Sequence, residues 1–457
     1  MNLFASLEEP ALENYFYWKG RWVDDAKAVS REAWDRNYDA FKENNLKVAL
    51  AFQTARGEKK PLLWLKTTFY IAQSAAVFLG TFIWTPILVV AFCIAAAVLC
   101  LSYSALAICL ATFERVYAKV NGLFNLCKHC HSRVDLPVYE CPNCHARHMR
   151  LLPGPRYGVF YRRCSTPGCS FRMPTLRLTG AKHLPAFCRS CGMALSNDDY
   201  VPITVAFLGG PSVGKTMLFN ALATESLQSA IQEHSWTMVV NDDEAEKIKQ
   251  MKDWVAHGIT PRTTQDRAIE AFCVDADRGA GKFPLRVYLY DPPGESFKST
   301  AKLSVHKYYN NLRGIIWVID PFTLETVRSR LGEYTADLES AKIGALGPEE
   351  CFERWLIGME KDFSGVVKDS VCAVVINKTD VPCFKNTMGL QMGDGDEKCR
   401  KFLSDQDCDG FVNTVDRTFS KVRYFAVSAT GGSEEGVRFT PKGLDEATRW
   451  VFENLVA

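Results

Sequence analysis

From Thr67 to Phe113 the chain carries no charged residue and no histidine. An uncharged run of that length leaves few folds open. One bilayer-crossing helix takes roughly 20 apolar residues, so there is room for two. Pro86 lies near the middle and suits a turn. Spans near 67–84 and 87–112 are therefore expected, as a transmembrane helical hairpin over 61–119 that returns the chain to the side it left. Lys59, Lys60 and Lys66 precede the run, and Arg115 and Lys119 follow it. Both flanks favour the cytoplasmic side, which would put both termini and the C-terminal half there, at the cell (inner) membrane if the chain is bacterial. A buried hairpin in a soluble core and a re-entrant hairpin are the alternatives.

Residues 1–60 read as a soluble helical segment. Ala26, Val29, Ala33, Trp34, Tyr38, Phe41, Val48 and Phe52 recur at helical spacing, with Arg31, Glu32, Asp35 and Arg36 opposite. Mixed charge on that face suggests packing against protein rather than lying on lipid. No early apolar run marks a secretory signal.

A formal net charge of +2 argues against a nucleic-acid coat, yet no acidic residue occurs between Glu140 and Asp198. Seventeen cysteines are present. Within 120–198, eight fall in metal-type pairs: Cys127 with Cys130, then Cys141 with Cys144; Cys164 with Cys169, then Cys188 with Cys191. Each pair can offer two thiolates from one turn, and two pairs complete a tetrahedral site of four cysteines. Taken in sequence order, these make tandem zinc ribbons holding two Zn2+. Four thiolates leave no open position, so the metal is structural and reducing cytoplasm is the expected setting. The second ribbon carries Arg162, Arg163, Arg172 and Arg177 beside Tyr157, Phe160, Tyr161 and Phe171. Three readings stay open there: nucleic acid, anionic lipid head groups, or a plain solvated surface.

Residues 199–457 alternate strand-like and helix-like stretches. The strands are expected at Ile203–Leu208, Ile269–Val274, Leu285–Tyr290, Gly314–Ile319, Val371–Ile376 and Val422–Val427, with a last helix near Leu444–Leu455. This alternation implies an α/β fold with a mostly parallel sheet. Strand Ile203–Leu208 runs into Gly209-Gly210-Pro211-Ser212-Val213-Gly214-Lys215-Thr216, a glycine-rich turn before a helix. Its backbone N–H groups can ring phosphates, Lys215 can reach the outer ones, and the Thr216 hydroxyl can bind Mg2+. Asp291-Pro292-Pro293-Gly294 ends another apolar strand, which suits a carboxylate serving Mg2+ and a glycine N–H serving the terminal phosphate. Asn377-Lys378-Thr379-Asp380 follows a third. A carboxylate at Asp380 can accept from both the N1–H and N2–H2 of guanine, whereas adenine offers no such pair. Ser428-Ala429-Thr430 would bring a backbone N–H near the guanine oxygen.

In these motifs the chain resembles the translation-factor-related class of P-loop GTPases, especially the Ras- and Arf-like G domain, over roughly residues 200–457. A weaker resemblance is to multidomain bacterial GTPases of conflict systems. The first implies a switch in which GTP, with Mg2+, orders two loops and hydrolysis to GDP releases them. It also implies a first-switch threonine closing on Mg2+: Thr264, then Thr263, then Thr260. Where many Ras-like members have glutamine after the glycine, this chain has Glu295, so a GTPase-activating partner is expected to assist hydrolysis. The stretch Val381–Lys421 exceeds a minimal G domain. The whole reads as a membrane-anchored GTP-binding switch signalling to protein effectors, with the ribbons as adaptor or sensor. The alternatives are a zinc-ribbon nucleic-acid sensor gated by GTP, and a GTP-binding scaffold without turnover.

Overall fold

The computed structural model describes residues 21–58, 60–149, 151–154, 158–259, 271–294, 307–431 and 439–456. Thr260, Thr263, Thr264, Glu295 and Tyr157 lie outside them. The described chain forms two compact units, neither continuous in sequence. One holds Ala118–Pro137 with the chain from Phe187 onward; the other holds the N-terminal helices to Tyr117 with Val138–Ala186.

In the second of these, helix α1 spans Arg21–Glu58 and α2 spans Pro61–Leu79. They are separated at Lys60, which is extended (φ −82, ψ 127) as a residue before proline prefers; Pro61 then opens α2, where its missing N–H costs nothing. The two helices pack antiparallel. Trp34 meets Phe82 at 5.1 Å between ring centroids, Phe41 meets Phe78 at 5.7 Å, and Phe52 meets Trp64 at 5.7 Å. Part of the apolar face read in α1 thus finds its partner within the chain, while Val29 and Tyr38 stay exposed.

The turn expected at Pro86 does not form. A five-residue π segment, Gly80–Trp84, follows α2 and passes directly into α3, Thr85–Val120. Proline lacks an N–H and its ring crowds the carbonyl four residues back. A wider π turn just before it relieves that crowding and keeps the helix going. The Thr81 hydroxyl donates to the Val77 carbonyl at 2.8 Å in the same stretch. The result is one helix of 60 residues, Pro61–Val120, in place of a hairpin at 67–112. It is long and apolar enough to cross a membrane, and only 6% of its most apolar stretch is buried in the protein. At 1.5 Å per residue it measures about 90 Å, well beyond a bilayer core of roughly 30 Å. Its later turns also meet protein: the Val159 N–H donates to the Tyr103 hydroxyl at 3.3 Å, and the Arg177 N–H donates to Glu114.

The other unit is built on a seven-stranded sheet. Its strands are β1 Val201–Leu208, β2 Thr237–Val239, β3 Phe272–Asp277, β4 Leu285–Tyr290, β5 Gly314–Ile319, β6 Val371–Ile376 and β7 Lys421–Ala426. The order is β2-β3-β4-β1-β5-β6-β7. From β4 to β7 all pairs are parallel; β2–β3 and β3–β4 are antiparallel. Alternate side chains feed two cores. Leu208, Tyr290, Trp317, Val374 and Tyr424 pack on Phe352 and Trp355 of α6 (Pro348–Asp369). Phe207, Leu289, Val318, Val375 and Phe425 pack on the opposite face with Leu218 of α4 (Lys215–Ala221), Val255 of α5 (Asp242–His257) and Val451 of α7 (Leu444–Val456). Burial on both faces explains why the central strands read as unbroken apolar runs. The long Val381–Lys421 stretch supplies helices Asp396–Ser404 and Asp409–Thr418, pinned to β7 where Asp396 accepts the Tyr424 N–H at 2.8 Å.

Candidate nucleotide site and cysteine clusters

Loops that follow β1, β4, β6 and β7 bring together those nucleotide-site residues read from the sequence that lie among the described residues. After β1 the backbone curls through Gly209 (φ 146), Ser212 (φ 62) and Gly214 (φ 94) before α4 begins at Lys215. A side chain at Gly209 would lie 2.5 Å from the Val318 carbonyl, so only glycine lets the loop turn there. The Lys215 ammonium points into the loop and donates to the carbonyls of Gly209 at 2.9 Å and Gly210 at 2.7 Å. Burial pushes it down to about 8, against the pull of the nearby Asp291 carboxylate. Gly294 closes on the same loop: a Cβ there would fall 2.7 Å from the Lys215 nitrogen.

Thr216 donates its hydroxyl to Asp291 Oδ2 at 2.7 Å. Asp291 Oδ1 is buried with no hydrogen-bonding partner among the described residues, and burial raises the carboxyl above its usual range. A buried carboxylate with one unsatisfied oxygen beside a threonine hydroxyl is a donor set that fits a hard divalent cation such as Mg2+. Thr264 cannot be placed, lying outside the described residues.

The base-side residues are tied to the same loop. Asn377 donates to the Val213 carbonyl at 2.9 Å and accepts the Ala429 N–H at 3.2 Å. That N–H is therefore engaged by Asn377. Ser428 Oγ accepts the N–H groups of Thr430 at 3.2 Å and Gly431 at 2.7 Å, which shapes the turn. Asp380 accepts the Thr430 hydroxyl at 2.9 Å. Lys378 donates to Ser212 O at 3.0 Å, Lys342 O at 2.9 Å and Asp320 Oδ2 at 2.7 Å.

Asp320 was missed in the sequence. It is fully buried and also accepts the N–H groups of Phe322 and Gly344, so it holds Lys378 and folds the 320–344 loop against the phosphate turn. Like Asp291, it directly follows a sheet strand, a position that alone does not show its partner Lys378.

The cysteines gather into two groups, but not in sequence order. Cys127, Cys130, Cys188 and Cys191 form an outer set, and Cys141, Cys144, Cys164 and Cys169 an inner one. The tandem pairing is thus replaced by a nested one. Spacing identifies each turn; which turns meet is decided by the fold around them. Sγ–Sγ distances are 3.6 Å for Cys127–Cys191 and Cys130–Cys188, 3.8 Å for Cys141–Cys169 and 3.4 Å for Cys144–Cys164. Tetrahedral zinc at 2.3 Å holds its sulfurs about 3.8 Å apart, so both sets fit that ion. His148 Nε2 lies 3.4 Å from Cys164 Sγ, as a partner to the thiol rather than a fifth ligand.

No family model matches the chain, and no curated protein matches it. Among solved structures it is similar to Methanosarcina barkeri Roco2 RocCORdC bound to GDP, at 14% identity and a TM-score of 0.23. That match covers 56% of this chain and 49% of the other, so the chain spans about half of that structure's length. So distant a likeness decides nothing about activity, which rests on the residues above.

The nested pairing has a direct check. Zinc content of the Cys127→Ser/Cys188→Ser double variant is expected to fall by one ion per chain, because both ligands belong to the outer set. Cys141→Ser/Cys188→Ser is expected to lose two. Loss of two ions from the first variant would restore the tandem order.

Proposed function

We propose that the chain is a membrane-anchored guanine-nucleotide switch that hydrolyses GTP to GDP. The observation carrying this is that Lys215, Thr216 and Asp291 meet at the glycine-rich loop while Asn377 ties the Asp380 motif to it. The loop's N–H groups and Lys215 bind the phosphates, and Asp380 selects guanine. Thr216 and Asp291 would hold Mg2+, with Thr264 joining from the first switch; the ion's chemistry is to neutralise phosphate charge. Glu295 follows Gly294 in sequence where many Ras-like members have glutamine, and a carboxylate there would repel a terminal phosphate, so turnover is expected to be slow until a partner protein assists.

The anchor is the Pro61–Val120 helix, only 6% of whose most apolar stretch is buried among the described residues. The zinc clusters are closed four-thiolate sites that hold the ribbons folded. On the inner ribbon Arg163 and Arg172 face each other across an antiparallel pair next to exposed Tyr161. Like charges directly opposite are unfavourable alone, which suits an anionic surface, lipid or nucleic acid.

Titration calorimetry on the detergent-solubilised full chain with magnesium tests this. GTP and GDP are expected to bind at least about 100-fold more tightly than ATP, since a site built to hydrogen-bond one base rejects the other. Equal affinities, or none, would sink the reading.

Lys215 adds a pH signature. Its ammonium begins to lose its proton near pH 8 in the free protein, and a bound polyphosphate favours the charged form. Binding therefore takes up a proton above pH 8, and affinity is expected to fall by up to about tenfold per pH unit there. In the free protein the sign is the opposite one: between about 8 and the ordinary lysine range the unfolded chain holds more protons, so stability rises with pH.

A further inference from the structure

The outer cysteine cluster belongs to the same compact unit as the nucleotide site, and its first turn, Cys127 to His131, touches the chain at three places around the switch segments. The Lys128 carbonyl accepts the N–H of Ala271, which directly follows the 260–270 stretch holding Thr264, at 3.2 Å. The Lys128 ammonium lies 3.8 Å from Glu244, fully buried on α5, the helix that leads into that stretch. The His131 ring stands edge-on to Tyr290 at 5.1 Å and to Tyr308 at 5.9 Å. Tyr290 is bonded to Asp291, and Tyr308 follows the 295–306 stretch. One short turn thus grips the exit of the first switch and both ends of the second.

His131 is also an odd choice for its place. Its φ of 57 is in the left-handed region, where glycine is at ease and an L side chain is strained. In the partner turn of the same cluster the matching position, after Cys191, is Gly192 at φ 78. In the inner cluster the matching residue, His145, also has φ 57, but its ring is exposed and meets Glu140 at 3.0 Å. The strain at His131 sets a buried ring edge-on against the stacked pair Tyr290 and Tyr308, whose centroids are 5.0 Å apart; at His145 it sets none there.

We infer that the Cys127–His131 turn is a nucleotide sensor: zinc in the outer cluster and nucleotide in the pocket bind as coupled ligands through His131, a positioning residue, and the inner cluster is uncoupled. This rests on the guanine-nucleotide reading. Coupling must be reciprocal, so the factor by which GTP rather than GDP changes zinc affinity equals the factor by which zinc changes the GTP-to-GDP affinity ratio.

The test is chelator competition for zinc on the full chain in detergent, with GDP or a non-hydrolysable GTP analogue bound. One of two zinc ions is expected to change affinity by about fivefold or more between the two nucleotides. The other is expected to ignore them. Cys141→Ser should retain the sensitive ion and Cys188→Ser should lose it. His131→Gly, which copies Gly192, should keep both ions but erase the nucleotide dependence; His131→Phe, which keeps a ring, should restore it. If neither nucleotide binds, the switch reading and the coupling fall together. If both bind yet neither zinc responds, or His131→Gly leaves the response intact, the coupling alone falls. Loss of the outer zinc from His131→Gly would equally overturn it, since the ring would then be holding the turn rather than sensing through it.

Discussion

Lys215→Ala will cost GTP binding about 100-fold to several-thousandfold without lowering thermal stability. The ammonium sits inside the phosphate turn, 2.9 and 2.7 Å from two loop carbonyls. Leaving a polyphosphate's charge without its buried partner costs about 3–5 kcal/mol. Stability should move the other way or not at all. Burial already pushes this amine down to about 8, so keeping it charged in the free protein opposes folding, and alanine removes that cost. Calorimetry for affinity and a thermal melt for stability together make the check. Binding that survives would remove Lys215 from the site; binding lost along with the fold would show a structural role.

Asp380→Asn is expected to exchange one base for another. Guanine presents two adjacent donors, N1–H and N2–H2, to the carboxylate. An amide offers one acceptor and one donor, so GTP affinity should fall by about 100-fold or more, as when a buried polar pair is mismatched. Xanthine carries a carbonyl where guanine carries the amine, which matches the amide, so xanthosine triphosphate should bind the variant more tightly than it binds the parent. The Thr430 hydroxyl, 2.9 Å from Asp380, can still donate to the amide oxygen, which keeps the local turn in place. Competition between the two nucleotides on parent and variant reads the exchange. An unchanged preference for GTP would move base recognition away from Asp380.

Much of the sheet was legible. Leu285–Tyr290, Gly314–Ile319 and Val371–Ile376 emerge with the bounds read from their apolar runs, because strands buried on both faces leave that mark. The strand expected at Ile269–Val274 instead occupies Phe272–Asp277, where Cys273, Asp275 and Asp277 alternate outward; the apolar run alone hid that period. Thr237–Val239 escaped notice, being three residues long at an edge and poorly buried. The phosphate turn and the Asn377–Asp380 motif were readable from local chemistry. Asp320 was not, because its role depends on Lys378 arriving from another strand. Pro86 misled for a related reason. A proline reads as a turn, but a π segment just before it kept the helix whole.

The nested clusters impose an order on biosynthesis. On the ribosome, Cys127 and Cys130 emerge first yet wait for Cys188 and Cys191, 58 and 64 positions on in their closest sulfur pairs. The inner set spans only 20 and 28 positions and can close while the later ligands are still in the exit tunnel. Its closure draws the flanking arms together and shortens the loop the outer set must close. β1 begins at Val201, ten residues after Cys191, so the outer clasp is complete just as the first sheet strand appears. The unit that carries the long apolar helix ends at Ala186, so all of its residues have been made before the first strand of the nucleotide sheet emerges.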